Sequence, residues 1–145
     1  MNHKDQNSKA ILQQLILFLL VLLFVYTATS KLIDFAGFER QLQQQHFNTS
    51  IVSLLKWSIP FLEICTATLL TFGRTRRVGL ILSALLMATF TSYVGLALAG
   101  VFSKMPCSCG GVLKNMGWKL HFWFNLLFLS LSIIGLTINQ HIKKE

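Results

Sequence analysis

Apolar residues fall in four long blocks, over residues 10–29, 50–72, 78–102 and 121–138, separated by short polar and charged clusters. The first and third blocks contain no charged residue, and the second contains only Lys56 and Glu63. Each block is close to the ~20 residues that cross ~30 Å of hydrocarbon as a helix. Backbone polar groups in lipid must be satisfied within their own segment, so the blocks read as helices. Between the first two, residues 35–45 carry Phe35, Phe38 and Leu42 on one side. That spacing predicts a short amphipathic helix lying on the outer surface. The third block is rich in small residues, including Gly79, Ser83, Ala84, Ala88, Ser92, Gly95 and Ala99. Those at helical spacing allow close helix contact. The chain shows no internal repeat or low-complexity tract, so residues 1–145 read as one all-α membrane domain, a polytopic four-helix bundle.

Composition agrees with the pattern. Apolar residues make up 53% of the 145 residues and charged ones 12%, about half the charged fraction of a soluble domain. The net charge of +8 raises the question of nucleic acid. The basic residues are scattered at block ends, where they anchor helices to lipid head groups, and this argues against a nucleic-acid partner. The lipid bilayer is the first partner. A cleavable secretory leader is the other reading of Lys4 and Lys9 before a long apolar run. That run exceeds the ~7–15 residues of a leader core and ends without a typical small-residue cleavage site, which favours an uncleaved first helix.

Orientation follows from lysine and arginine placement. One side of the bundle would hold seven of them and the other six, which decides nothing. The turn Gly73-Arg74-Thr75-Arg76-Arg77 is short and densely basic, however, and such loops stay cytoplasmic. Both termini are then inside, and the connection between the third and fourth blocks is outside.

That external connection contains Met105-Pro106-Cys107-Ser108-Cys109-Gly110-Gly111. An oxidising compartment permits disulfides. An extended Cys-x-Cys brings its Cα atoms near the ~6.8 Å limit for bridging, so any Cys107–Cys109 bridge needs a bend at Ser108 and would be labile. Pro106 stiffens the approach to the bend, and Gly110 and Gly111 supply unusual backbone angles. Three readings stay open: a redox-active pair, structural or unpaired thiols, and a soft-metal site. The last is the weakest, because a closed zinc site needs four ligands and only His121, Met105 and Met116 lie nearby in sequence. No metal is assigned.

Other polar residues have to be placed inside the bundle. A charged Glu63 at the bilayer centre would cost ~2.5–3.5 kcal/mol, so it must face the bundle, be protonated or find a partner. It is a candidate proton acceptor, or a plain interhelical hydrogen-bonding group. Pro60, one turn earlier, frees a backbone carbonyl. With the helix entering the bilayer near Trp57, Glu63 would lie ~9 Å deep. Cys65 reads as an inert buried thiol. His121 and Asn125 share one face at the outer start of the fourth helix. His121 could take a thiol proton, or simply sit in an aromatic belt with Trp118 and Trp123. Lys31 and Asp34 are expected to form an interfacial ion pair that fixes the turn into residues 35–45.

Three of these stretches resemble the MauE-like membrane proteins of methylamine utilisation, relatives of the DoxX/DoxD-type four-helix proteins. They are Ser30-Lys31-Leu32-Ile33-Asp34-Phe35 with Phe38 and Leu42; Pro60-Phe61-Leu62-Glu63; and Pro106-Cys107-Ser108-Cys109-Gly110-Gly111 with Gly117-Trp118, His121 and Asn125. The resemblance runs over about residues 10–138. It implies a bacterial inner-membrane protein with a periplasmic cysteine loop, assisting processing, transport or disulfide maturation of periplasmic proteins. The small subunit of methylamine dehydrogenase is the family's notable client. On that reading Cys107 and Cys109 exchange with a thioredoxin-like partner or a periplasmic client, as a thiol–disulfide oxidoreductase would. Glu63 and His121 assist proton transfer, and Lys31, Asp34, Pro60, Pro106, Gly110 and Asn125 orient the site. The alternatives are a non-catalytic scaffold or transporter subunit, and a quinone-linked DoxD-like oxidoreductase subunit with a quinone pocket near Glu63.

Overall fold

A computed structural model describes residues 3–44, 48–101 and 117–142. Among these residues the chain forms five α-helices: α1 (His3–Ile33), α2 (Phe35–Gln43), α3 (Thr49–Thr71), α4 (Arg76–Leu98) and α5 (Trp118–Ile142). All except α2 are long and apolar enough to cross a membrane. At 23 residues, α3 and α4 are each ~35 Å long, enough to span the hydrocarbon. The chain is a multi-pass membrane protein.

The four long helices pack in the ring order α1–α3–α4–α5 and back to α1. Cross-helix contacts fix their directions. Gln13 near the start of α1 donates to Asn139 near the end of α5 at 3.0 Å. Along the α4–α5 seam, Leu80 lies against Gly135, Ser83 against Ser132 and Gly95 against Phe122, a steady antiparallel register. One end of the bundle therefore holds the start of α1, the arginine turn between α3 and α4, and the end of α5. The opposite end holds the α1–α2 junction and the connection from α4 to α5.

Small residues let these helices approach. A Cβ added at Gly79 would lie 2.8 Å from the backbone nitrogen of Leu70, so α4 meets the α3 backbone itself there. The core beneath is aliphatic and aromatic, with Ile16, Leu20, Phe24, Leu70 and Leu80 almost fully buried. Facing outward are Phe18, Leu22, Leu54, Phe61, Leu85 and Leu127, each more than half exposed. An apolar girdle of this extent suits lipid as the surrounding solvent.

The end that holds the α1–α2 junction carries α2. The backbone leaves the helix at Asp34 (φ −106°, ψ 54°), whose carboxylate accepts from the Gly37 amide at 3.1 Å and caps α2. A Cβ at position 37 would run into that carboxylate, which accounts for the glycine. As the amphipathic pattern predicts, Phe38 and Leu42 are buried, packed with Val52 of α3. Phe35 stacks on Trp57 with ring centres 4.9 Å apart. Lys56 closes the joint by pairing with Glu39 at 2.8 Å.

Candidate functional site: a buried charged cluster

The Phe35–Trp57 contact sets the level of the site. Trp57 stands beside the α1–α2 junction, and Glu63 lies six residues further along α3, ~9 Å deeper. Side-chain direction then brings an ion pair together. In a helix each Cα–Cβ bond tilts toward the N-terminus. Lys31, two residues from the end of α1, leans toward the middle of the bundle; Glu63, on the antiparallel α3, leans back toward the end that carries α2. The Lys31 ammonium Nζ meets Glu63 Oε1 at 2.7 Å, with side-chain exposures of 3% and 1%. Nζ also donates to the Thr27 carbonyl at 3.4 Å and lies 5.9 Å from the centre of the Phe38 ring. The first residues of α2 thus roof over the pair.

The expected partner of Lys31 was Asp34. The structure gives each a different short contact: Asp34 caps α2, and Lys31 is buried against Glu63 rather than held at the interface. The lysine leans toward Glu63, and the Asp34 carboxylate accepts from the Gly37 amide of α2. Glu63 meets its requirement for a partner through this lysine.

Helix α5 adds His121 and Asn125, four residues apart and both buried, 2% and 4% exposed. His121 is within electrostatic reach of the Lys31 ammonium. Asn125 lines a cavity together with Thr27 and Glu63, walled otherwise by Leu23, Phe24, Met87, Phe90 and Phe124. All four long helices contribute to that wall. The Thr27 hydroxyl reaches the Phe24 carbonyl at 3.2 Å and is also within hydrogen-bonding reach of the Glu63 carboxylate. The cavity holds about 20 Å³. A six-membered ring needs on the order of 150 Å³, so a quinone ring does not fit this cavity as the described residues shape it.

Pro60 is buried within α3, one turn before Glu63. Cys65 is half-buried and carries a free thiol. Among the described residues no group of three or more His, Cys, Asp or Glu side chains is placed to hold a metal ion. Pro106, Cys107, Cys109 and Gly110 lie outside the described residues, as do Met105 and Met116. What the structure brings together is therefore Lys31, Glu63, His121 and Asn125. Sequence reasoning missed the Lys31–Glu63 pairing and the place of Thr27. One signal was available: a lone intramembrane acid calls for a cation, and Lys31 closes the adjacent apolar helix.

A protein-family model described as methylamine utilisation protein MauE matches residues 9–138, most of the chain. No curated protein and no solved structure matched the chain.

Proposed function

The chain belongs to the MauE family of membrane proteins involved in methylamine utilisation, and from that premise we propose that it acts in thiol–disulfide maturation of a periplasmic client. In this reading it is a single inner-membrane domain with both termini cytoplasmic. Cys107 and Cys109 exchange disulfides with the client or with a thioredoxin-like partner. A thiolate of one partner attacks a sulfur of the other's disulfide, and a mixed disulfide forms. The second thiolate resolves it, so one pair is oxidised as the other is reduced. The thiol protons released need an acceptor close to the loop.

The observation that supports this reading most is the position of the buried cluster. His121 is twelve residues beyond Cys109, in the first turn of α5, and Asn125 follows one turn deeper. Asn125 shares a cavity wall with a carboxylate already held by Lys31, and His121 is within electrostatic reach of that lysine. An imidazole in the first turn of α5 and a carboxylate one level deeper are the groups of this cluster that can accept a proton. Lys31, Thr27 and Asn125 act as positioning residues for them.

The competing reading is a non-catalytic scaffold whose buried pair only orders the bundle. Single Cys107→Ser and Cys109→Ser variants separate the two. In cells, one of them is expected to accumulate a reductant-sensitive mixed disulfide with a client or thioredoxin-like protein, and the double variant to lose client maturation. If neither single variant traps a partner and the double variant still matures the client, the scaffold reading stands instead.

A further inference from the structure

Two buried polar atoms in this bundle, Glu63 Oε2 and Asn125 Nδ2, have no hydrogen-bond partner among the described residues, and their residues line one cavity. Their residues are 1% and 4% exposed. Leaving such groups unsatisfied costs about 1–3 kcal/mol each, more for a charged one. Several other buried polar groups are bonded within the protein. Ser83 and Ser132 bond each other at 2.7 Å, and Gln13 reaches Asn139.

We infer that the cavity between Glu63, Asn125 and Thr27 is a binding site for one internal water molecule. Four features of the site select that ligand. Its volume of about 20 Å³ exceeds the ~10–15 Å³ a water needs and excludes anything much larger. The polar groups are complementary to a molecule that both donates and accepts. Asn125 Nδ2 offers a proton and Glu63 Oε2 accepts one, while the Thr27 hydroxyl lies within hydrogen-bonding reach of the same carboxylate. A buried water makes two to four hydrogen bonds, and these two groups supply one acceptor and one donor for it. Charge also favours a neutral guest, because Lys31 already balances Glu63 across 2.7 Å. Finally, the remaining wall is apolar, so the guest is held at one place.

This site shares Glu63, Thr27 and Asn125 with the proposed thiol chemistry but does not depend on it: it follows from cavity size and hydrogen-bonding groups and holds whether or not Cys107 and Cys109 turn over. Its consequence is that the Glu63 carboxylate, though dry of bulk solvent, keeps one exchangeable molecule against its second oxygen. A satisfied Oε2 also leaves the Lys31 bond undisturbed.

The test is water-edited solid-state NMR on the full chain in lipid bilayers. Magnetisation from water is expected to reach the Asn125 side-chain nitrogen and Glu63 Cδ at short mixing times. It should not reach Ser132, which is equally buried but satisfied by Ser83 and Phe128. In Asn125→Leu, which removes the donor and fills the space, the Glu63 signal should be lost, while Thr27→Val should weaken it. Absence of transfer to both residues in the unsubstituted protein would overturn the site. So would a direct Glu63–Asn125 hydrogen bond measured by dipolar coupling. Transfer to Glu63 that survives Asn125→Leu also overturns it, because the protons then come from the Lys31 ammonium.

Discussion

Replacing Lys31 by methionine removes the charge that Glu63 depends on and keeps the stem that packs under Phe38. The Nζ–Oε1 separation of 2.7 Å corresponds to an attraction of about 6 kcal/mol at an effective dielectric of 20. Taking both ions out of water opposes this by several kcal/mol each, so the pair's net contribution is small. The single substitution is different: it leaves an uncompensated buried carboxylate, which costs about 3–5 kcal/mol. At 1.4 kcal/mol per tenfold, that lowers the folded-to-unfolded ratio by a factor of roughly 10² to 4 × 10³. Glu63→Leu should cost a similar amount by stranding the ammonium. The double variant Lys31→Met, Glu63→Leu should return to within about 1–2 kcal/mol of the parent, because an apolar pair of similar volume replaces the ion pair. The assay is reversible unfolding in mixed micelles, titrated with SDS and followed by tryptophan fluorescence and far-UV circular dichroism, arranged as a double-mutant cycle. Lys56→Met serves as the control. Its pair with Glu39 is 18% and 31% exposed and should be worth no more than about 1 kcal/mol. Additive effects of Lys31→Met and Glu63→Leu, with no recovery in the double variant, would refute the pairing.

Two further outcomes follow from packing and capping. Gly79→Ala is expected to lower the unfolding midpoint more than Gly135→Ala. The new Cβ at 79 meets the α3 backbone at 2.8 Å, whereas at 135 it meets movable side-chain ends of Leu80 and Ile16 at 3.0 and 3.2 Å; overpacking of the first kind costs about 1–3 kcal/mol. Equal midpoints would contradict the close α3–α4 approach. Asp34→Ala should remove the cap on α2, about 1 kcal/mol, and show as faster backbone hydrogen exchange over Phe35–Gln43 with α3–α5 unchanged.

Much of the architecture was legible in the chain. Block length and charge depletion predicted four spanning helices, with bounds of 50–72 and 78–102 against the observed Thr49–Thr71 and Arg76–Leu98. The amphipathic spacing of Phe38 and Leu42 predicted α2. The demand of an intramembrane Glu63 for a partner was legible as well, and so was the shared face of His121 and Asn125. These are local properties: transfer free energy and helical period act on neighbouring residues and need no knowledge of the fold.

Which partner answers that demand is not a local property. Lys31 and Asp34 are close in sequence, yet the lysine turns to a carboxylate 32 positions away. That choice depends on the antiparallel pairing of α1 with α3, on the tilt of side chains toward opposite helix ends, and on the relative level at which the two helices stand. The gathering of Thr27, Glu63 and Asn125 around one cavity depends likewise on how each helix is rotated, which close contacts such as the one at Gly79 set. The sequence by itself determined that this protein crosses the membrane in four helices and carries a buried acid needing compensation. Only the tertiary structure decided the partner, because helix rotation and register are fixed by packing between segments and not by the composition of any one of them.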